Sequence, residues 1–167
     1  MFKFKIFEIP DGKSTKTIEM APNCIDLGEI SWNTGILEVE FDKAEQFIRT
    51  KLHLKGEVTL ICDRSLDAFS YNLDQHYDVL FKAEEVEESA SETGSIRKIN
   101  HASKQISIEQ DVLDTILVNL PAKKLHPRFL DENGNPLEFE TEKFGEPDED
   151  EQGAIDPRWA ALKDLKK

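Results

Sequence analysis

The chain contains 167 residues, of which 38% are hydrophobic and 33% are charged, and this fits one ordinary domain with tails. Asp and Glu number 34 against 21 Lys and Arg, and the resulting formal net charge of -13 argues against non-specific DNA binding. No stretch approaches the roughly 18 to 20 consecutive apolar residues that cross a bilayer, and the opening MFKFKIFEIP carries charges where a signal peptide is apolar. We therefore expect a cytoplasmic protein.

Apolar and polar residues alternate in several runs of the first half of the chain, as expected for strands with one buried face. Phe2, Phe4 and Ile6 form the first run, and the turn signal Pro10-Asp11-Gly12 ends it. Further extended runs are predicted over residues 15–20, 36–41, 47–62 and 69–81, with a turn at 63–67. Together they predict a long antiparallel meander with one solvated face.

A glutamate-rich segment follows the predicted meander. Residues 84–92 contain five glutamates and a single large apolar residue, Val86. Such a composition buries too little apolar surface to offset the entropy lost on ordering. We expect a flexible acidic loop over residues 84–94.

The clearest helical pattern lies in the second half of the chain. Apolar residues recur every three or four positions over residues 108–120, which predicts an amphipathic helix packed on the sheet. Ser107 and Gln110 have the spacing of a capping box, and Pro121 is expected to end the helix.

These patterns predict an α+β fold: a mainly antiparallel sheet of roughly six to eight strands, as a meander or partly closed barrel, with one packed helix. We assign residues 1–139 to this domain and 140–154 to an acidic linker. Residues 155–167 form the predicted C-terminal helical tail, with Asp156 at the N-cap and Pro157 at the first helical position.

Catalytic motifs are missing from the sequence. It has no phosphate-binding glycine loop, zinc-protease helix or nucleophile elbow, and its four histidines lie in four different segments. Cys24 and Cys62 are read as buried free thiols. We predict no catalytic, cofactor-binding or metal-binding residue, and a protein that is not an enzyme.

Basic clusters stand out from the acidic background at residues 51–55, 123–128 and 163–167. Brought together by folding, they would form a positive patch that contacts RNA phosphates. The alternative is that these lysines are scattered, solubilising surface residues.

A family resemblance is carried by residues 56–69, GEVTLICDRSLDAF, in which Cys62 and Arg64 match a Cys-x-Arg-Cys turn between two strands. This segment resembles the YceD family, the large ribosomal RNA subunit accumulation proteins. The resemblance continues through an amphipathic segment ending in Leu120-Pro121, the run 123–126 and the closing motif 155–158. Ser65 replaces the second cysteine, and residues 126–134 lack the cysteines of many relatives, so a zinc site is not carried over.

The resemblance implies a non-catalytic ribosome biogenesis factor that supports synthesis, processing or stability of large-subunit (23S) ribosomal RNA. Its expected partner is a precursor of the large ribosomal subunit, ribosomal RNA or a ribosomal protein, and not DNA or a membrane. The candidate partner-binding residues are Arg64, Lys123, Lys124, His126, Arg128 and Arg158. We also expect residues 156–167 to form a docking helix.

Two other classes of function remain open. The net charge of -13 would suit an acidic protein adaptor or chaperone that holds a basic ribosomal protein without contacting RNA. An enzyme has the least support, because no motif converges on a pocket.

Overall fold

The structure is a computed structural model that describes residues 2–84, 86–99 and 104–137. Its strands are β1 (Lys3–Lys5), β2 (Gly12–Met20), β3 (Ser31–Lys43), β4 (Phe47–Ile61), β5 (Ala68–Lys82), β6 (Ser89–Ala90), β7 (Gly94–Lys98) and β8 (Gln105–Ser107). The α-helix, α1, spans Glu109–Val118, and 3-10 turns occur at Ile6–Glu8 and Pro127–Phe129. The α+β prediction is confirmed.

Six strands form one sheet in the order β2-β3-β4-β5-β7-β6. The meander β2-β3-β4-β5 is antiparallel, as predicted, whereas β7 pairs with β5 in parallel. Strands β1 and β8 form a separate antiparallel pair. The six-stranded sheet is open, so of the two predicted arrangements the meander is the correct one.

The core lies on one face of the long strands because their apolar residues alternate with polar ones. Along β4, the buried side chains include Leu52, Leu54, Val58 and Leu60. The other face of the meander is solvated and carries paired charges, as the alternation predicts.

Trp32 fixes the packing where β3 and β4 face each other. Gly35 and Gly56 are opposite each other in the strand register, and the buried Trp32 ring covers both. A Cβ at Gly56 would lie 2.5 Å from Trp32 Cζ2, so neither strand has room for a side chain there. The Trp32 indole N–H donates to the Met20 carbonyl at 3.4 Å.

Helix α1 differs in detail from its prediction. Its N-cap is Ile108 and not Ser107, although the Glu109 N–H reaches the Ser107 hydroxyl at 3.5 Å. The helix ends at Val118, before the predicted end at Leu120. Asn119 is the C-cap residue, and its side-chain amide donates to the Thr115 carbonyl at 2.8 Å.

The buried stripe of α1 also differs from the predicted one. Ile108, Val112 and Ile116 are buried, but Leu117 is 43% exposed. Polar Asp111 and Thr115 take the remaining buried positions.

Two other expectations differ from the structure. Ile6 leaves the first strand and begins a 3-10 turn. The segment predicted as an acidic loop, 84–94, contains the short strand β6, which pairs with β7. The predicted acidic linker 140–154, the C-terminal helix 155–167 and Arg158 lie outside the described residues.

Candidate functional site

Two segments about 60 residues apart in sequence meet at one end of the β4–β5 hairpin. The Asp63 N–H donates to the Lys124 carbonyl at 2.8 Å, and the Lys124 N–H donates to Asp63 Oδ2 at 2.7 Å. The His126 N–H donates to Cys62 Sγ at 3.3 Å. We call the surface formed by residues 62–67 and 123–129 the basic turn surface.

The hairpin end is a closed turn held by its own backbone. The Cys62 N–H donates to the Asp67 carbonyl, and the Leu66 N–H donates to the Cys62 carbonyl, both at 2.9 Å. Leu66 completes the turn in the left-handed region, with φ +61°. In this turn Asp63 and Leu66 are exposed, whereas Arg64 and Ser65 are half-buried.

The second segment is shaped by the 3-10 turn Pro127–Phe129. Pro127 suits the first position of this turn because its ring fixes φ and no N–H partner is needed there. His126 Nδ1 accepts a hydrogen bond from the Arg128 N–H at 3.2 Å and so caps the turn. This cap fixes the imidazole beside the hairpin, 5.7 Å from the Phe69 ring between centroids.

Cations and aromatic rings interleave on the basic turn surface. The guanidinium carbons of Arg64 and Arg128 each lie 4.8 Å from the centroid of the Phe129 ring, within cation–π range. Arg128 also forms an ion pair with Asp67. The Ser65 hydroxyl and the Arg128 guanidinium hold the pKa of Asp67 below its ordinary value, so this carboxylate stays charged at neutral pH.

The charge of this surface is opposite to that of the whole chain. It has four Arg and Lys residues against two Asp residues, a local excess of two positive charges in a chain of net charge -13. Lys123 is exposed, and Lys124 is half-buried. Such a contrast orients a polyanion toward one place on an otherwise repulsive molecule.

Cys62 lies buried at the base of the turn. Burial raises the pKa of its thiol, but the Ser65 hydroxyl and the backbone N–H groups of His126, Ser65 and Arg64 outweigh burial and lower the pKa to about 7. Because no surface of Cys62 is accessible, its thiol serves the turn and does not face a substrate.

The predicted basic cluster at residues 51–55 lies on the solvated face of β4 among carboxylates, and its cationic residues are Lys51, His53 and Lys55. Lys51 is opposite Glu40 on β3 and Asp78 on β5. His53 lies 3.4 Å from a Glu38 oxygen and 2.7 Å from an Asp74 oxygen. These cations are locally balanced, so the predicted positive patch does not extend along β4. The third predicted cluster, 163–167, lies outside the described residues.

The structure thus brings together five of the six candidate residues, Arg64, Lys123, Lys124, His126 and Arg128, while Arg158 lies outside the described residues. Sequence reasoning did not select Asp63, Asp67 or Phe129. The roles of the two aspartates depend on a contact across 61 positions, which local patterns do not report. Phe129 had a sequence signal, since it directly follows the basic run.

A cavity of about 770 Å³ lies against β5 and β7, away from the basic turn surface. Its lining includes neither cysteine nor histidine, and its carboxylate, Asp78, is paired with Arg49. It therefore offers no free acid–base pair. In residues 2–84, 86–99 and 104–137, no group of three or more His, Cys, Asp or Glu is arranged to hold a metal ion.

Comparison with known protein families identifies a family that matches this chain. The model of a family described as large ribosomal RNA subunit accumulation protein YceD matches residues 50–166, which is more than half of the chain. No curated protein and no solved structure matches. Among the helices that the structure describes, none has the length and apolar character needed to span a membrane.

Proposed function

The chain belongs to the YceD family of large ribosomal RNA subunit accumulation proteins, and from this premise we propose that it is a non-catalytic factor supporting the synthesis, processing or stability of 23S ribosomal RNA. In this proposal the protein acts in the cytoplasm and contacts RNA of the large-subunit precursor through the basic turn surface. One observation supports that assignment above others: two distant segments combine their cations at one end of an acidic molecule.

The chemistry of this surface suits RNA better than a neutral ligand. The side chains of Lys123 and Lys124 provide positive charge for phosphates. Lys124 holds the turn through its backbone N–H and carbonyl and not through its ammonium group. Arg64 and Arg128 provide planar guanidinium groups already ordered by the Phe129 ring. Ordered guanidinium planes stack on exposed bases and lose little conformational entropy in doing so.

The net charge of -13 favours a second candidate, an acidic adaptor that holds a basic ribosomal protein and never touches RNA. In that case the acidic segments of the chain, and not the basic turn surface, would carry the contact. Charge reversal separates the two candidates, because it weakens RNA binding at the basic turn surface but leaves an acidic contact intact.

The test is complementation of cells that lack the protein, with the ratio of large- to small-subunit ribosomal RNA as the readout. The wild-type chain should restore the ratio. The double variant Lys123→Glu and Lys124→Glu should not, because each substitution places a carboxylate where a phosphate would bind. The backbone hydrogen bonds of Lys124 remain, so the variant keeps its fold.

The matched control is Lys16→Glu with Lys104→Glu, which changes the net charge equally at two exposed lysines outside the basic turn surface. It should restore the ratio as well as the wild type does. Equal rescue by both double variants would mean that the basic turn surface is not the RNA contact. Failure of the wild-type chain to change the ratio would contradict the proposed function itself.

A further inference from the structure

Leu66 is an exposed leucine in a backbone conformation that leucine avoids. Its residue surface is 79% exposed, and its φ is +61° at the tip of the β4–β5 turn. A side chain with a Cβ meets steric conflict in the left-handed region, and glycine or asparagine would be better tolerated. The left-handed conformation closes the turn, but the exposed side chain of Leu66 adds nothing to the hydrophobic core.

Leu66 belongs to the basic turn surface. Arg64 lies two positions earlier, and Asp67, the next residue, is paired with Arg128. Both guanidinium groups lie beside the Phe129 ring. Leu66 is thus an exposed apolar side chain on a surface whose charged residues sum to an excess of two positive charges, and a polyanion that offers an apolar slot would match both features.

We propose that Leu66 is a wedge that inserts between neighbouring bases at a bulged or unpaired step of RNA, while the cations of the basic turn surface hold the flanking phosphates. This inference rests on the proposed function and names the RNA feature that the site recognises. Apolar wedges that part base steps combine in the same way with cations on the backbone.

A bulged step suits this tip better than a regular duplex. The major groove of an A-form helix is too narrow and deep for side chains to read. Parting two stacked bases costs less where one nucleotide is already unpaired. The slot between the bases then takes up the side chain of Leu66, and its burial from water favours the complex.

The probe is an RNA hairpin with one bulged nucleotide beside a 2-aminopurine, compared with the fully paired hairpin of the same stem. Wild-type protein should bind the bulged hairpin more tightly and increase the 2-aminopurine fluorescence as the base is unstacked. Leu66→Gly should bind the bulged hairpin about tenfold more weakly, because the buried apolar contact is lost. Its salt dependence should be unchanged, because the phosphate contacts remain.

Leu66→Gly should also raise the thermal midpoint of the protein, because glycine accepts the left-handed conformation. Binding and stability thus change in opposite directions, which a variant that merely damages the fold would not show. Ile36→Ser serves as the control, since Ile36 is 46% exposed on β3 and lies outside the basic turn surface. It should bind both hairpins as the wild type does.

Three outcomes would overturn the wedge. If Leu66→Gly binds the bulged hairpin as tightly and with the same fluorescence, Leu66 is not inserted, although the proposed RNA contact stands. A lower thermal midpoint for Leu66→Gly would show that Leu66 serves the fold. If the wild type binds neither hairpin but needs Leu66 to bind a ribosomal protein, the tip is a protein anchor, and the proposed RNA contact also fails.

Discussion

At the scale of single residues, the Cys62 thiol shows how the turn changes ordinary side-chain chemistry. The sulfur is buried, which by itself raises its pKa, yet Ser65 and three backbone N–H groups lower that pKa to about 7. One of these donors, the His126 N–H, also joins the post-helix segment to the turn. The charge state of Cys62 is therefore coupled to the assembly of the basic turn surface.

The free energy of unfolding should consequently rise with pH between about 7 and 9. In the unfolded chain the thiol regains its ordinary pKa, so in this window the folded state binds fewer protons. The thiolate's stabilisation is fully present above the unfolded pKa and is lost as pH falls through the folded pKa. Urea unfolding of the wild type and of Cys62→Ser at several pH values measures the difference in slope.

Cys24→Ser is the control for this prediction. Burial raises the pKa of Cys24, so that thiol contributes stability that is lost as pH rises, which is the opposite sign. Its removal should not reduce the upward slope. If the slope between pH 7 and 9 were the same in wild type and Cys62→Ser, Cys62 would not be the titrating group.

Asp111 joins helix α1 to the sheet through buried polar bonds. Its Oδ1 accepts a hydrogen bond from the Ser95 hydroxyl at 2.7 Å and from the Arg97 guanidinium at 3.0 Å. Asp111→Ala should lower the free energy of unfolding by about 2 to 3 kcal/mol, because it removes the buried acceptor of the Ser95 hydroxyl and leaves the Arg97 guanidinium to its longer ion pair with Glu88, at 4.0 Å. Asp114→Ala, on the same helix, should lower the free energy of unfolding by less than about 1 kcal/mol. Equal losses of unfolding free energy for the two variants in urea titrations would contradict this role for Asp111.

At the scale of elements, the packing of β3 on β4 depends on the glycines beneath Trp32. Gly56→Ala should lower the free energy of unfolding by about 1 to 3 kcal/mol, because its Cβ would overlap the Trp32 ring. Thermal unfolding of Gly56→Ala, of Trp32→Leu and of the double variant measures the coupling. The alanine should cost less beside the smaller leucine, and an unchanged cost would mean that the ring is not the cause.

The docking of the post-helix segment on the hairpin depends on Asp63. Asp63→Ala removes the acceptor of the Lys124 N–H and should cost about 1 kcal/mol of stability. It should also weaken RNA binding, because the segment that carries Lys123 and Arg128 is then less ordered. Asp63→Asn keeps an acceptor oxygen and should largely restore both stability and RNA binding, as measured by unfolding and by RNA titration. If asparagine restores neither, the negative charge of Asp63, and not its hydrogen bond to the Lys124 N–H, supports these properties.

The elements that the sequence predicts well are those whose signal is local. Alternation predicts residues 36–41 of β3 and nearly all of β4 and β5, because one face of each strand packs on the core, whereas β2 was expected only over residues 15–20. The helix was found by its periodicity, but its N-cap and buried stripe were not. Asp111 looks like a surface residue until Ser95 and Arg97 are placed beside it, and that placement depends on the parallel pairing of β7 with β5.

The candidate site follows the same rule. Arg64 and the run 123–128 were recognisable from local composition and from the family resemblance. That they share one surface, with Asp63 and Asp67 as internal partners, depends on contacts between segments about 60 residues apart. Local pattern cannot report such contacts, and it gives no sign that Leu66 adopts a left-handed conformation.

At the scale of the whole molecule, the account depends on a separation of charge. An acidic chain of net charge -13 repels RNA on average, while in the proposed function the basic turn surface would attract RNA at one place. Binding should therefore be specific in orientation and should weaken as salt concentration rises. An acidic adaptor for a basic protein would share the salt dependence but would not depend on RNA.

The most direct measurement is sedimentation of the tagged full-length protein from a fresh lysate, with and without ribonuclease, followed by identification of the RNA and protein in its fractions. The account predicts that the protein migrates with large-subunit precursors and that ribonuclease releases it. Migration as a small free species, or with a basic protein that remains bound after ribonuclease treatment, would contradict an RNA contact.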